Sequence, residues 1–217
     1  DRNAPIRVKT CGRALKHTVH LDKVKAEQFV LPIGKKKTHV IGINPSQITT
    51  EDLAVSLPPA ANYVPTDGYS KVAAVERHHN TGKIGVAVAK GYGIRNGAVA
   101  SSVSHDSHNI IVIGDNDRDM ALAVDEIIRT QGGYTVVENG EVFETLPLPI
   151  MGLMSDAGFE SVNETLGRMI KKAHEMGVPA DIEPFITLSF LALPVIPTLR
   201  ITPRGLCLLT AKGPEIL

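Results

Sequence analysis

The chain has 217 residues, of which 43% are hydrophobic and 21% are charged, an ordinary balance for a globular protein. Basic and acidic residues number 23 each, so the chain lacks the basic excess that is typical of nucleic-acid-binding proteins. Its most apolar stretch, residues 185–199, is interrupted by Pro194 and Pro197 and is too short to span a membrane. The two cysteines, Cys11 and Cys207, lie too far apart in sequence to indicate a disulfide framework, and we expect a soluble, cytoplasmic protein.

The chain divides by its pattern into a lead-in and one domain. Residues 1–38 show no clean periodicity and are punctuated by proline and glycine, so we interpret them as a variable lead-in or linker. Residues 39–217 are interpreted as a single domain. Within it, the continuous apolar runs at 39–43 and 109–113 predict buried strands.

Turn residues predict two hairpins. The small and apolar residues at 72–75 and 83–90 flank Asn80-Thr81-Gly82, an arrangement typical of two strands joined by a tight turn. Farther on, Asn139-Gly140 follows the apolar run at 134–137 and precedes a second such run. Because Asn-Gly accepts the positive φ angles of a type I′ turn, this second hairpin prediction is the stronger one.

Two helices are also predicted. The first follows the N-cap candidates at 115–117 and stops at Gly132-Gly133. The second spans residues 160–176, and the tail at 185–209 is interpreted as strands or loops because prolines interrupt its apolar runs. Together the elements predict an α/β layered fold, a mixed β-sheet packed with helices. The apolar positions of the first helix recur at helical spacing: Met120, Val124, Ile127 and Ile128.

The densest polar cluster is the segment Ser104 to Asn109, here called the histidine loop, with the sequence Ser-His-Asp-Ser-His-Asn. It stands immediately before a predicted buried strand, which would hold its side chains in place. His105 and His108, with Asp106 between them, could bind a metal, orient a base or contact a polar ligand. The alternative is a strand-entry loop whose side chains satisfy buried backbone groups.

A second polar cluster, Glu76-Arg77-His78-His79, ends the preceding predicted strand. Arg77 could pair with Glu76 or Asp106, or hold an anionic group with its planar guanidinium. The alternative is a salt-bridged strand end without a ligand. The glycine-rich connector at 90–97 has no dinucleotide-binding fingerprint, so we interpret it as a loop able to approach a partner surface.

Several catalytic motifs are absent from the sequence. There is no His-x-Glu paired with Pro-Cys-x-x-Cys, which excludes the zinc fold of the cytidine and nucleic-acid deaminases. There is also no Gly-x-Ser-x-Gly elbow and no P-loop. No His-x-His pair occurs anywhere in the chain.

Taken together, these segments resemble the C-terminal region of bacterial and archaeal adenine deaminases. The resemblance covers about residues 39–206, and its most specific part runs from Gly97 through the histidine loop. The order and spacing of the matching segments also agree. Those segments are residues 75–79, 81–82, 90–93, 97–109, 146–155 and 187–197.

The resemblance implies a hydrolase of the amidohydrolase superfamily that converts adenine and water to hypoxanthine and ammonia in purine salvage. Water would be activated at a divalent metal, manganese or iron and alternatively zinc, held mainly by an N-terminal (β/α)-barrel with a His-x-His pair. Because 217 residues without His-x-His cannot hold that barrel beside this region, we expect the isolated chain to be inactive. The implied partners are adenine, the barrel of the same enzyme and a second copy in a homodimer. The resemblance implies no binding to nucleic acid or to a membrane.

Within this region we expect the two polar clusters to face the barrel mouth and to help close the purine pocket. No metal ligand is assigned to this chain. Two alternatives stay open: a purely structural or oligomerisation domain that braces the barrel, and an independent small-molecule-binding module. The supporting catalytic candidates are His105, Asp106 and His108, and the substrate-binding candidates are Glu76, Arg77, His78, Ser104 and Asn109.

Overall fold

The structure, a computed structural model, describes residues 15–66 and 68–217 of the chain. Its described part is built around an eight-stranded sheet with the strand order β2-β1-β4-β3-β6-β5-β7-β8. Neighbouring strands are antiparallel except β1 and β4, which run parallel, so the sheet is mixed. The strands are β1 (Thr38–Ile43), β2 (Thr50–Val55), β3 (Tyr69–Val75), β4 (Ile84–Lys90), β5 (Gly97–Ser101), β6 (Ile110–Gly114), β7 (Gly133–Glu138) and β8 (Glu141–Pro147).

Helices and a second, smaller sheet cover the two faces of the large sheet. In the described part the helices are α1 (Asp117–Thr130), α2 (Phe159–Glu175) and α3 (Pro184–Phe190), and the small sheet contains β9 (Leu199–Thr202), β10 (Gly205–Thr210) and β11 (Gly213–Ile216). One face packs against α1, and the other packs against α2, α3 and β9. The prediction of a layered mixed sheet with helices and without a (β/α)-barrel is confirmed for these residues.

Both central strands are buried because each face of the sheet is covered. Every residue of β5 and β6 is buried, as the continuous apolar run at 109–113 predicts. The two predicted hairpins are also present, but the predicted tight turn at Asn80-Thr81-Gly82 is wrong, since residues 76–83 join β3 to β4 in a longer loop. Asn139 and Gly140, with φ angles of 52° and 82°, form the turn between β7 and β8.

Helix α1 begins as its sequence predicts and ends at Thr130, two residues before the first of the expected glycines. The Asn116 side chain caps its first turn by accepting a hydrogen bond from the Asp119 backbone N–H at 2.8 Å. At the other end Gln131, with a φ of 59°, adopts the left-handed conformation, and Gly132 and Gly133 follow it.

The prediction of strands or loops for the whole tail at 185–209 is wrong for its first part. Pro184 occupies the first turn of α3, where the missing N–H costs nothing, and the Glu183 side chain accepts from the Ile186 backbone N–H as a cap. The seven residues of α3 are too few to show a helical period in sequence. The later part of the tail does contain strands, β9 and part of β10.

The described residues before β1 pack against the domain. Val19, Val24 and Phe29 are buried beside α1, and Phe29 ends a short 3-10 helix, Ala26–Phe29. The first 14 residues of the interpreted lead-in lie outside the described residues. From residue 15 onwards the segment therefore contributes to the core on the α1 face.

Candidate functional site

Strand pairing brings the two polar clusters together. The last residue of β3, Val75, pairs with the first residue of β6, Ile110. Because the strands are antiparallel, the segment that leaves β3 and the segment that enters β6 emerge at the same edge of the sheet. The structure thus places Glu76–Arg77–His78 beside the histidine loop, although 25 residues or more separate them in sequence.

The histidine loop is a tight turn anchored to α3. The His108 backbone N–H donates to the Ser104 carbonyl at 2.6 Å, which closes the turn. The His105 backbone N–H donates to the carbonyl of Ser189 in α3 at 3.1 Å, and the His105 ring lies 4.7 Å from the Phe190 ring. Sequence reasoning did not find this contribution of α3, because no local pattern links residues so far apart.

The imidazole rings lie at one surface of the loop. The His105 and His108 rings are 6.2 Å apart in an edge-to-face arrangement. Asp106 is 84% exposed, and its carboxylate is 3.9 Å from Nδ1 of His105. His78 Nε2 lies 2.8 Å from the Ser107 carbonyl, and since a carbonyl only accepts, this nitrogen carries the proton.

A pocket of about 350 Å³ opens between the two clusters. Its floor contains Arg77, and its walls combine imidazoles with apolar side chains. The residues that line it are Thr18, His20, Arg77, His78, Ser107, His108, Met151 and Leu153.

Arg77 joins three segments around this pocket and is only 2% exposed. Its guanidinium donates to the carbonyl of His108, to that of Thr18 at 3.1 Å and to that of Met151 at 3.0 Å. Burial lowers the pKa of Arg77 to about 10. Its partners are backbone carbonyls and not the carboxylates of Glu76 or Asp106, so Arg77 holds the segments in place as a positioning residue.

Glu76 caps the turn that follows β3. One carboxylate oxygen accepts from the backbone N–H groups of His78 and His79 at 2.6 and 2.9 Å. The other accepts from the backbone N–H and the hydroxyl of Thr81 at 3.1 and 2.9 Å. Burial raises the pKa of Glu76, but these four hydrogen bonds outweigh it and lower the pKa to about 2.

Asn109 and Ser104 occupy the two ends of the histidine loop. The Asn109 side-chain oxygen accepts from the Arg77 backbone N–H at 3.3 Å, and its amide donates to Ser107 Oγ at 3.1 Å. Ser104 Oγ and His108 Nδ1 are buried without a hydrogen-bond partner among the described residues. Burial, followed by the Coulomb interaction with Arg77, lowers the pKa of His108 below its ordinary value of 6.5, so its ring is neutral at pH 7.

The described residues offer neither a metal centre nor a membrane span. Across residues 15–66 and 68–217, no group of three or more histidine, cysteine, aspartate or glutamate side chains is arranged to hold a metal ion. Within the same ranges, each helix is too short or too polar to cross a bilayer.

Comparison with known proteins identifies the family. The sequence profile described as "Adenine deaminase C-terminal domain" matches residues 47–212. Adenine deaminase of Desulfitobacterium hafniense is 49% identical over 95% of this chain and 36% of its own length. Those of Nitratidesulfovibrio vulgaris strain DP4 and Bacillus subtilis are 48% and 42% identical, over 89% and 86% of this chain.

The chain spans only about a third of the length of these relatives, 36%, 34% and 34% respectively. The matched residues include both polar clusters and every strand and helix from β3 to β9. The chain therefore belongs to the adenine deaminase C-terminal domain family.

Proposed function

We propose that this domain completes the substrate-binding mouth of an adenine deaminase, an enzyme that would hydrolyse adenine to hypoxanthine and ammonia in purine salvage. The names of the relatives and the family match support the parent activity. The observation that best supports this role is that two polar atoms of the loop, Ser104 Oγ and His108 Nδ1, are buried without a hydrogen-bond partner among the described residues. Buried polar groups are almost always hydrogen-bonded. Of the four buried side-chain atoms without a partner among the described residues, two belong to this one loop, which supports a polar partner there.

In this proposal His105, Asp106 and His108 contact the purine or the water that attacks it. Neutral His108 can accept or donate a hydrogen bond at Nδ1, according to its tautomer, and the exposed carboxylate of Asp106 can accept from an exocyclic amine. Ser104 offers a hydroxyl from the same loop. His78 and Arg77 fix the loop through the carbonyls of Ser107 and His108.

Glu76 and Asn109 would act on the substrate through the same loop. The carboxylate of Glu76 sets the turn that carries His78, and Asn109 holds the backbone of Arg77. Both side chains are already engaged in hydrogen bonds, which favours a supporting role over direct contact.

The divalent metal, manganese or iron and alternatively zinc, would belong to the N-terminal part of the enzyme. The donor set described here has no cluster able to hold it. Bound there, it would lower the pKa of a water molecule and so supply the nucleophile. The cytoplasmic location and the homodimer are further parts of this proposal.

A purely structural role is the competing proposal, and one observation favours it. Arg77 donates to the carbonyls of Thr18, His108 and Met151 and to the Thr18 hydroxyl, and so links three segments of the chain. On this view the domain braces the barrel or forms the subunit interface, and the histidine loop is part of the brace.

The test uses the full-length enzyme with His105→Ala and His108→Ala. If the loop contacts substrate, kcat/KM for adenine falls about 10- to 100-fold, the range seen when groups that support a metal site are removed. His39→Ala is the matched control, because His39 pairs with Asp52 on β1 and β2, away from the loop. Its kinetics should not change.

Two outcomes would reject the substrate role. Unchanged turnover and unchanged purine affinity in both loop variants would contradict it directly. Loss of folding or of the dimer, with normal kinetics in the fraction that stays assembled, would support the structural alternative. Thermal unfolding and sedimentation of each variant distinguish these cases.

A further inference from the structure

Helix α3 leaves an apolar surface uncovered beside the histidine loop. Its inner side chains, Phe185 and Leu188, are buried in the core, whereas Ile186 on its outer side is 57% exposed. Ile186 and Phe190 line a groove of about 270 Å³ together with Ile48, which is also exposed. The outer side of α3 thus presents the apolar side chains of Ile186 and Phe190 beside polar residues of the same groove, among them Thr187.

A second uncovered apolar surface lies on the other side of the loop. Met151 and Met154 are both exposed, and they belong to one turn in which Ile150 and Met154 exchange two backbone hydrogen bonds of 3.1 Å. Met151 and Leu153 line the pocket that contains His78 and His108.

The histidine loop joins these two surfaces into one strip. On one side the His105 ring lies 4.7 Å from Phe190. On the other side, the Arg77 guanidinium donates hydrogen bonds to the carbonyls of both His108 and Met151. Five apolar residues flank the loop on its two sides: Ile48, Ile186, Phe190, Met151 and Met154. We call these five residues, together with the histidine loop, the flanking strip.

Other exposed apolar side chains of the described residues include Phe143, Val64, Phe159 and Val195. Phe143 carries the Lys172 ammonium 5.2 Å above its ring, and Val64 stands in the loop before β3. Single exposed apolar residues are normal on protein surfaces, whereas a contiguous group beside polar residues marks an interaction site.

The segment at 15–18 lies beside one side of the strip. The Met151 backbone N–H donates to the Leu15 carbonyl at 2.7 Å, and Arg77 donates to the Thr18 carbonyl. The segment at 15–18 therefore lies beside Met151 of the strip. The family match is to a C-terminal domain, and the relatives are about three times as long as their matched part, so most of their additional chain precedes this position.

We propose that the flanking strip is the surface on which the preceding, N-terminal part of the full-length enzyme packs. This inference rests on the proposed function, since it names the partner that the histidine loop faces. The apolar flanks supply the contact area, and the imidazoles between them are enclosed when the two parts meet. Packing on both sides of the loop would exclude water from it.

Hydroxyl-radical footprinting of the native full-length enzyme tests this packing. Because methionine oxidation follows exposure, Met151 and Met154 should react about tenfold more slowly than in the urea-unfolded enzyme, and Phe190 should also be protected. Met120, Met169 and Met176 are buried references, and exposed Phe143 is the reference outside the strip. Oxidation of Met151 and Met154 at the unfolded rate would overturn the inference.

A pair of matched variants provides an independent measurement. Ile186→Glu should reduce adenine turnover roughly tenfold or more, because an unpaired carboxylate would be enclosed in the contact. Val64→Glu should leave turnover unchanged, since Val64 is similarly exposed at 71% but lies near the start of β3, at the opposite sheet edge. Equal effects of the two substitutions on turnover would contradict the inference. If either variant fails to fold, the footprint alone tests whether the strip is covered.

The outcomes separate this inference from the proposed function. A protected strip with unchanged kinetics in His105→Ala and His108→Ala would retain the interface and reject the substrate role. Altered kinetics with an unprotected strip would reject the interface alone. Protection that disappears on dilution would mean that a second copy covers the strip, which overturns the inference.

Discussion

Glu76 illustrates how a single carboxylate can hold the edge of a site. Its four hydrogen bonds lower its pKa from the ordinary value of about 4.5 to about 2. A group whose pKa is depressed on folding stabilises the fold above its unfolded pKa and loses that effect as the pH falls through the folded value. The contribution of Glu76 should therefore be complete at pH 7 and decline between about pH 4.5 and pH 2.

Glu76→Gln should lower the free energy of unfolding at pH 7 by about 1–2 kcal/mol, because the amide group cannot accept all four hydrogen bonds. Urea denaturation of the chain at several pH values measures this, and the difference from the parent should shrink towards pH 2. Glu27→Gln is the control, as Glu27 is exposed and its side chain has no hydrogen bond in the described structure. A difference independent of pH would contradict the carboxylate's assigned role.

Two buried arginines show why parts of the site escape sequence analysis. Arg77 and Arg200 both donate to backbone carbonyls, and burial lowers the pKa of each to about 10. Every residue has a backbone carbonyl, so the sequence does not indicate which carbonyls accept hydrogen bonds from a buried arginine. Sequence reasoning placed Arg77 at the site, but its role as a link between three segments depends on contacts 31 to 74 residues apart.

Among the elements, those with local patterns were predicted well. The spacing of Met120, Val124 and Ile127 indicates α1, and Asn139-Gly140 indicates the β7–β8 turn. The fold of the tail was predicted only in part, since α3 is too short for periodicity and is stabilised by its packing. The meeting of the two polar clusters depends on the β3–β6 pairing, which no local pattern specifies.

A buried ion pair connects β3 to the start of α1, and sequence analysis did not find it. The Lys71 ammonium is 1% exposed and donates to Asp117 Oδ1 and Asn62 Oδ1, both at 2.6 Å, and to the Phe29 carbonyl at 3.0 Å. Removing one partner of a buried pair leaves the other charge uncompensated. Lys71 thus fixes the end of β3 opposite the histidine loop.

Lys71→Met should destabilise the chain by about 3 kcal/mol, because Asp117 keeps only its bond from Asn62. Lys23→Met is the matched control: Lys23 pairs with Asp125 at 3.4 Å but is largely exposed. It should cost no more than about 0.5 kcal/mol. Urea unfolding of both variants measures the contrast, and similar values would show that burial does not strengthen the Lys71 contacts.

At the scale of the whole molecule, the described residues form a packed core, and the histidine loop lies at its edge. Both faces of the large sheet are covered within the described residues, and the core extends from α1 across the sheet to α2, α3 and the small sheet. The histidine loop, by contrast, lies at an edge with polar atoms unpaired and apolar neighbours exposed. On the proposed function, a packed core beside an edge with unpaired polar atoms is what we expect of a domain that works against another part of the same enzyme.

This contrast predicts separate outcomes for folding and for activity. The purified 217-residue chain should unfold cooperatively in urea, because its described residues bury a core on both faces of the large sheet. It should release no ammonia from adenine with or without added Mn²⁺, since the described residues have no cluster able to hold the metal that activates water. The full-length enzyme, assayed in parallel, is the positive control. Metal-dependent ammonia release by the isolated chain would show that its own residues assemble the catalytic centre, and both the proposed role of the domain and the assignment of the metal to the N-terminal part would then be wrong.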